Sequence, residues 1–188
     1  MIKQKWIRKK EYFLKIAKKV FYKKGLISSN IEDIAVKAGT SRTALYYYYK
    51  SKNEIIKEIL KSGYDQYIER AKKEITTAKS EKDVLYALYK ALKWQTKKNK
   101  EFLVIALHLS IDGNEMSIEK VSKYYSNYVK FKTKELETVI KNRGFSLTKN
   151  QLQIFSIFLH GMLMVHLSKL PTEKIDFLVH NFINSFLS

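Results

Sequence analysis

The chain has 188 residues, 45% of them hydrophobic, which suits one fair-sized core or a small module joined to a larger one and argues against disorder. It has no cysteine, which excludes disulfide scaffolds, thiolate metal sites and cysteine nucleophiles and fits a reducing compartment. Residues 1–52 hold 14 Lys and Arg against three Asp and Glu, a net of +11 out of the total of +18, and such asymmetry points to a polyanion, most often nucleic acid.

One proline and six glycines leave little turn chemistry for a sheet, so the expected class is all-α. The N-terminal stretch MIKQKWIRKKEYF is basic but lacks the long apolar run of a secretory signal. Lys5 to Lys24 shows helical spacing, with Phe13, Leu14, Ala17, Val20 and Phe21 on one stripe and Gly25 as its stop. Asn30 is a candidate N-cap, with Asp33 completing a capping box, for a helix whose apolar side is Ile31, Ile34, Ala35 and Ala38. Gly39 stops that helix, and Ser41 caps the next, which is predicted to run through the tyrosines 46–49. Further helices are predicted from Ser51 or Lys52 to about 77, over 83–98, 102–111 and 117–143, over 152–168 with Thr148 or Asn150 as its start, and over 175–187, with a turn at Asp112-Gly113-Asn114. The 143 end falls at Gly144, and Val121, Tyr125, Tyr128, Val129, Phe131, Leu136 and Ile140 mark the apolar side of the helix before it. Residues 152–168 are strongly apolar, but the stretch is short for a bilayer span of about 20 residues and reads as a buried helix.

Residues 31–52 carry the functional signal. Ala35 and Gly39 lie four apart: a small residue lets two helices cross closely, and a glycine takes a turn that a Cβ would penalise. Leu45 and Tyr49 share the inward face of the second helix, while the pairs Arg42/Tyr46 and Thr43/Tyr47 point outward. A short, basic, aromatic helix of this kind suits the major groove of DNA.

The stretch Phe13-Leu14-x-x-Ala17-x-x-Val20-Phe21-x-x-x-Gly25, then Ile31-x-x-Ile34-Ala35-x-x-Ala38-Gly39-x-Ser41, then Leu45-Tyr46-x-x-Tyr49-x-Ser51-Lys52-x-Glu54-Ile55-Ile56, resembles the N-terminal domain of the tetracycline-repressor (TetR) family of bacterial regulators. The resemblance covers about a quarter of the chain. Tyr49 departs from the family's usual Phe, Thr43 from a common Gly and Asn30 from Ser or Thr. By position, the resemblance implies that Arg42, Thr43, Tyr47 and Tyr48 meet bases or backbone, and that Tyr46 and Lys52 contact phosphate. Ser29 and Asn30 are further phosphate candidates, and Ser41 joins the DNA-facing set. The implied organisation is a three-helix helix-turn-helix domain over 1–52 and a helical ligand-binding and dimerisation domain over 53–188, with about nine helices. The implied partners are a palindromic double-stranded operator, a second copy of the chain and a small apolar or aromatic effector, in the cytoplasm.

Beyond residue 57 no catalytic constellation stands out, so the protein reads as a non-enzyme without cofactor or metal. His160 and His166 are six apart, which is not the spacing of two ligands on one helix face. Candidate effector-lining residues are Trp94, Phe102, His108, Tyr125, Tyr128, Phe158 and Met162. Candidate dimer residues on the last two helices are Phe155, Leu159, Leu163, Phe182 and Phe186. An alternative reading is a basic amphipathic helical protein on anionic membrane surfaces, for which Trp6 and Ile7 supply apolar contacts.

Overall fold

The computed structural model describes residues 2–112, 118–167 and 171–187. Among the described residues there are nine helices and no strand: α1 (Ile2–Lys24), α2 (Ile31–Lys37), α3 (Arg42–Tyr46), α4 (Lys52–Ile75), α5 (Glu81–Lys98), α6 (Lys100–Asp112), α7 (Glu119–Asn142), α8 (Lys149–Leu167) and α9 (Thr172–Phe186). The expected turn at Asp112-Gly113-Asn114, the expected helix start at Ser117 and the expected end at Ser168 fall on residues outside that set.

Helix boundaries follow local chemistry. The Asn30 capping box forms, with its side chain accepting from the Asp33 N–H and Asp33 accepting from the Asn30 N–H, each at 2.9 Å. Ser51 caps α4 through the Glu54 N–H at 3.2 Å, and Ser80 caps α5 through the Asp83 N–H at 3.2 Å. Thr148 and Gln151 make a reciprocal pair at the start of α8. Gly25, Gly39 and Gly144 all have positive φ, so each ends its helix as the spacing predicts. The tyrosine helix is shorter than predicted: α3 stops at Tyr46, and the Tyr48 N–H bonds three residues back to the Leu45 carbonyl (3.0 Å), turning the chain toward α4.

Packing divides the chain into two compact units that interleave in sequence, Met1–Tyr64 with Asn99–Lys130, and Asp65–Lys98 with Phe131–Ser188. In the first unit α1 packs on α2 and α6, and α2 packs on α3. Phe13, Phe21, Leu26, Ile34, Leu45, Tyr49, Ile55 and Ile56 are wholly or almost wholly buried there. The Lys52 ammonium clips the 26–29 loop to the start of α4, donating to the carbonyls of Leu26 (2.8 Å) and Ser29 (2.9 Å), and partial burial pulls its pKa down. Further along α4, Gly63 faces the Phe102 ring of α6 so closely that a Cβ would overlap it.

In the second unit α5 packs on α8 and α9, which also pack on each other. The buried stripes are Phe155, Leu159 and Leu163 on α8 and Ile175, Val179 and Ile183 on α9. Those three α8 residues were expected at a dimer interface; they are buried within the protomer instead, where α8 packs on α5 and α9 and Phe155 lies against Phe182 at 6.2 Å. Phe182 and Phe186 are half-buried and stacked on each other at 5.1 Å, with Phe182 also against Phe158 at 3.8 Å. The outward face of α8 is nonetheless apolar, so the helix is buried along one side only: Ile154, Ile157 and Met164 are exposed, as are Phe177 and Leu178 on α9. Phe131 of α7, expected on the inward side, is 65% exposed. Among the described residues no helix is long and apolar enough to cross a membrane. A polar seam crosses from α5 to α9, where Asp176 accepts from Tyr89 (2.6 Å) and from Lys93 (2.8 and 2.5 Å). Burial alone would raise the Asp176 carboxyl, but these bonds outweigh it and hold the group below its ordinary range.

Two substitutions probe these joints. Gly63→Ala should destabilise the fold by about 1–3 kcal/mol, because the added methyl must displace the Phe102 ring, even though alanine is the better helix former; an unchanged thermal midpoint would refute the close approach. Lys52→Ala should cost about 1–2 kcal/mol by leaving the Leu26 and Ser29 carbonyls without their charged donor, read by urea denaturation, and Lys52→Met should fare no better.

Candidate nucleic-acid interface

The site is built on two very short helices whose geometry comes from their neighbours. Ala35 is fully buried where α2 meets α3, and Gly39 turns the chain at φ +61 with its following amide, Thr40 N–H, bonded to the Ala35 carbonyl at 3.0 Å. Ser41 then caps α3 through the Ala44 N–H at 3.1 Å, so this side chain is exposed but already committed to the helix start. Leu45 and Tyr49 are fully buried, which fixes the roll of α3 about its axis.

That roll turns Arg42, Thr43, Tyr46 and Tyr47 outward. Arg42 donates from Nη2 to the Tyr46 hydroxyl at 3.3 Å and lies 5.4 Å from the centre of the same ring, so the guanidinium is held along the helix by its i+4 neighbour. Tyr46 is 38% exposed and Tyr47 is 74% exposed, the latter the most exposed large apolar side chain of the chain's described residues. Tyr48 is half-buried: it stacks on Trp6 at 5.7 Å and meets Phe13 and Tyr47 edge-on at 5.1 and 5.2 Å. Tyr49 shares its hydroxyl proton between the Lys10 carbonyl (3.3 Å) and the Glu58 carboxylate (3.4 Å), and burial, with the nearby acids, pushes its pKa far up.

The remaining candidates divide. Asn30 is exposed at the start of α2, with its carbonyl oxygen serving the cap. Ser29 is buried, and its hydroxyl donates to the Gly25 carbonyl at 2.7 Å, so the side chain turns the loop instead of facing outward as expected for a phosphate contact. Lys52 spends two of its three N–H groups on the same loop. Trp6 and Lys10 belong to the site although the motif does not include them. Lys10 lies over the rings of Trp6 and Tyr49 and pairs with Glu58 at 2.7 Å. The signal for Trp6 is its spacing, seven residues before Phe13 on the same helix face.

The effector candidates are shared between the two compact units. Phe102, His108, Tyr125 and Tyr128 fall in the first compact unit, and Trp94, Phe158 and Met162 in the second. Phe102 packs against Gly63, and Tyr125 lies edge-on to Tyr64 at 6.2 Å, where burial raises its hydroxyl pKa. Tyr128 stacks with Tyr124 at 6.2 Å, and the buried Nδ1 of His108 has no hydrogen-bond partner among the described residues. Trp94 lies under the Arg70 guanidinium at 6.0 Å. Met162 is half-buried on α8. Among the described residues no group of three His, Asp or Glu is placed to hold a metal ion.

Residues 13–59 match the family model described as bacterial regulatory proteins, tetR family. The chain is 30% identical over 135 residues to the uncharacterized HTH-type transcriptional regulator YvdT of Bacillus subtilis, covering 71% of this chain and 68% of that protein. It is also 30% identical over 83 residues to the HTH-type transcriptional repressor KstR2 of Mycolicibacterium smegmatis, a match spanning 44% of this chain and only 40% of that one. Among solved structures, the fatty acid degradation regulator FadR from Bacillus halodurans has the same fold at a TM-score of 0.73 and 15% identity, over 93% of this chain and 94% of that one. FadR from Bacillus subtilis, in complex with stearoyl-CoA, matches at a TM-score of 0.72 and 14% identity, over 95% and 97%. The helix-turn-helix over α2 and α3, the residues around it and a relative matched over most of its length agree: the chain belongs to the tetR family of bacterial transcriptional regulators.

Proposed function

We propose that this protein is a ligand-responsive repressor that reads a palindromic DNA operator as a homodimer in the cytoplasm. Residues 1–52 would do the reading, and 53–188 the ligand binding and dimerisation. The observation that carries this is the outward face of α3, where Arg42 is pre-aligned by Tyr46 beside the exposed Tyr47 while Tyr49 locks the opposite face inside. Arg can fork onto guanine O6 and N7, and tyrosine can contact a thymine methyl or donate to phosphate. Thr43 completes the exposed face.

Pairing of two reading helices needs a dimer with half-sites about one helical turn apart. The surface that supports it is the outer face of α8 and α9, where Ile154, Ile157, Met164, Phe177 and Leu178 are between 47% and 67% exposed and Gly161 lets another helix approach. The effector would be a small apolar or aromatic molecule; the Bacillus subtilis FadR neighbour binds stearoyl-CoA. Ligand binding would shift the dimer toward a form in which α4 swings and the two reading helices lose their spacing. The membrane-surface alternative needs Trp6 free on an apolar face, and that ring is stacked on Tyr48.

Selection from a randomised duplex library by the purified protein should yield a palindrome. Arg42→Ala should then lose about 1–3 kcal/mol of specific binding and relax the preference at one base pair per half-site; identical footprints for parent and variant would defeat the assignment. In the same preparation Ile157→Glu combined with Phe177→Glu should halve the mass measured by light scattering, whereas a dimer that survives both charges would place the interface elsewhere.

A further inference from the structure

We propose that the first three turns of α1 form a second DNA contact, a rigid basic arm that grips the phosphate backbone beside the groove read by α3 and is held there by Trp6. The inference rests on the DNA-binding reading above. It adds a surface outside the helix-turn-helix.

Four observations converge on it. The first fully buried side chain of α1 is Phe13, so residues 2–12, about 16 Å of helix at about 1.5 Å per residue, lie on the surface and touch the reading head through Trp6, Lys10 and Tyr12. That surface stretch carries Lys3, Lys5, Arg8, Lys9 and Lys10 against a single acid, Glu11. Lys10 is paired with Glu58, and Lys9 lies over the Tyr12 and Phe13 rings, but Lys3, Lys5 and Arg8 are exposed and, among the described residues, in no ion pair. The first turn holds no acid either. Cations there oppose the helix dipole, whose positive end favours anions, so the arrangement is locally unfavourable in the absence of an external anion.

The direction of the arm comes from aromatic contacts. Trp6 stacks on Tyr48 at 5.7 Å, and Tyr48 meets Tyr47 edge-on at 5.2 Å. One continuous run of rings therefore joins the arm to the most outward side chain of the reading helix. The major groove is about 12 Å wide and is rimmed by phosphates, so a basic element beside the reading helix meets the backbone before it meets a base. A lipid surface fits less well, because membrane insertion of this helix would have to pull Trp6 away from Tyr48.

The test is the salt dependence of binding, measured by fluorescence anisotropy on two probes: the duplex selected by the parent protein and a mixed-sequence 30-base-pair duplex. Lys3→Ala, Lys5→Ala and Arg8→Ala together should weaken binding to both probes by the same factor and make the slope of log K against log salt shallower by about two to three units. The ratio of the two affinities should stay within about twofold, and thermal stability should hold or rise. Trp6→Ala should show the same loss with every charge still present, and Trp6→Phe should restore most of it. An unchanged salt slope in the triple variant overturns the arm while leaving the reading head intact. A parent that selects no duplex overturns both. Co-sedimentation with phosphatidylglycerol vesicles that the triple variant loses, with its DNA slope unchanged, overturns the proposal in favour of a lipid surface.

Discussion

The reading end of this protein depends on the buried side chain of Tyr49. α3 has only five helical residues, far below the length at which a helix holds by itself, so its orientation must come from packing. Tyr49 provides it from just past the helix end. Its ring is fully buried and lies under the Lys10 ammonium at 5.0 Å, and its hydroxyl reaches the Lys10 carbonyl of α1 and the Glu58 carboxylate of α4. A buried tyrosine hydroxyl needs such partners, so one side chain ties three helices at a single point. The outward geometry of Arg42, Thr43 and Tyr47 follows from that point, because a helix rolled about its axis moves every side chain together.

Four consecutive tyrosines therefore have four different environments. Tyr46 carries the arginine, Tyr47 is presented, Tyr48 is wedged between Trp6 and Phe13, and Tyr49 is inside. Much of this was legible in the sequence: Leu45 and Tyr49 are i, i+4, as are Arg42 and Tyr46, and spacing of that kind is local. The caps at Asn30 and Ser41 and the stop at Gly39 were legible for the same reason. What spacing does not carry is the identity of partners distant in the chain. Lys52 reads as a phosphate contact by position, and its bonds to the Leu26 and Ser29 carbonyls, 26 and 23 residues earlier, are not written in any local spacing. Ser29 looks like a polar loop residue, yet the turn folds its hydroxyl inward.

The same limit explains the last two helices. α8 is apolar almost all the way round, so periodicity shows that it packs without showing which side packs. Phe155, Leu159 and Leu163 are as plausible an exposed stripe as Ile154, Ile157 and Met164 until packing on α5 and α9 buries the first set. α9 is more strongly one-sided, and its Ile175, Val179 and Ile183 line follows the ordinary i, i+4 rule. Gly63 was invisible in a different way. A glycine in the middle of α4 costs helix stability of about 0.5–1 kcal/mol and has no local justification; its reason is the Phe102 ring from a helix nearly 40 residues later.

Those contacts give α4 a distinct mechanical character within the first compact unit. Its start is fastened to the 26–29 loop by Lys52 and to the reading head by Glu58, both directional bonds between fixed partners. Farther along, Gly63 meets Phe102 of α6 by shape alone, and Lys57 and Lys61 lie over Tyr124 and Tyr128 of α7 at 5.1 and 5.5 Å. Cation–π contacts of this exposed kind contribute about 0.5–1 kcal/mol each and tolerate sliding, because an ammonium on a long stem can follow a ring face. A steric contact with no Cβ to spare cannot slide in the same way. A displacement of α6 would therefore push α4 directly, while one of α7 would be partly absorbed by the lysines. Since the near end of α4 is bonded to the loop that opens α2 and to the tyrosine that orients α3, within this unit the stiffest route from α6 to the reading face runs through Gly63 and Phe102.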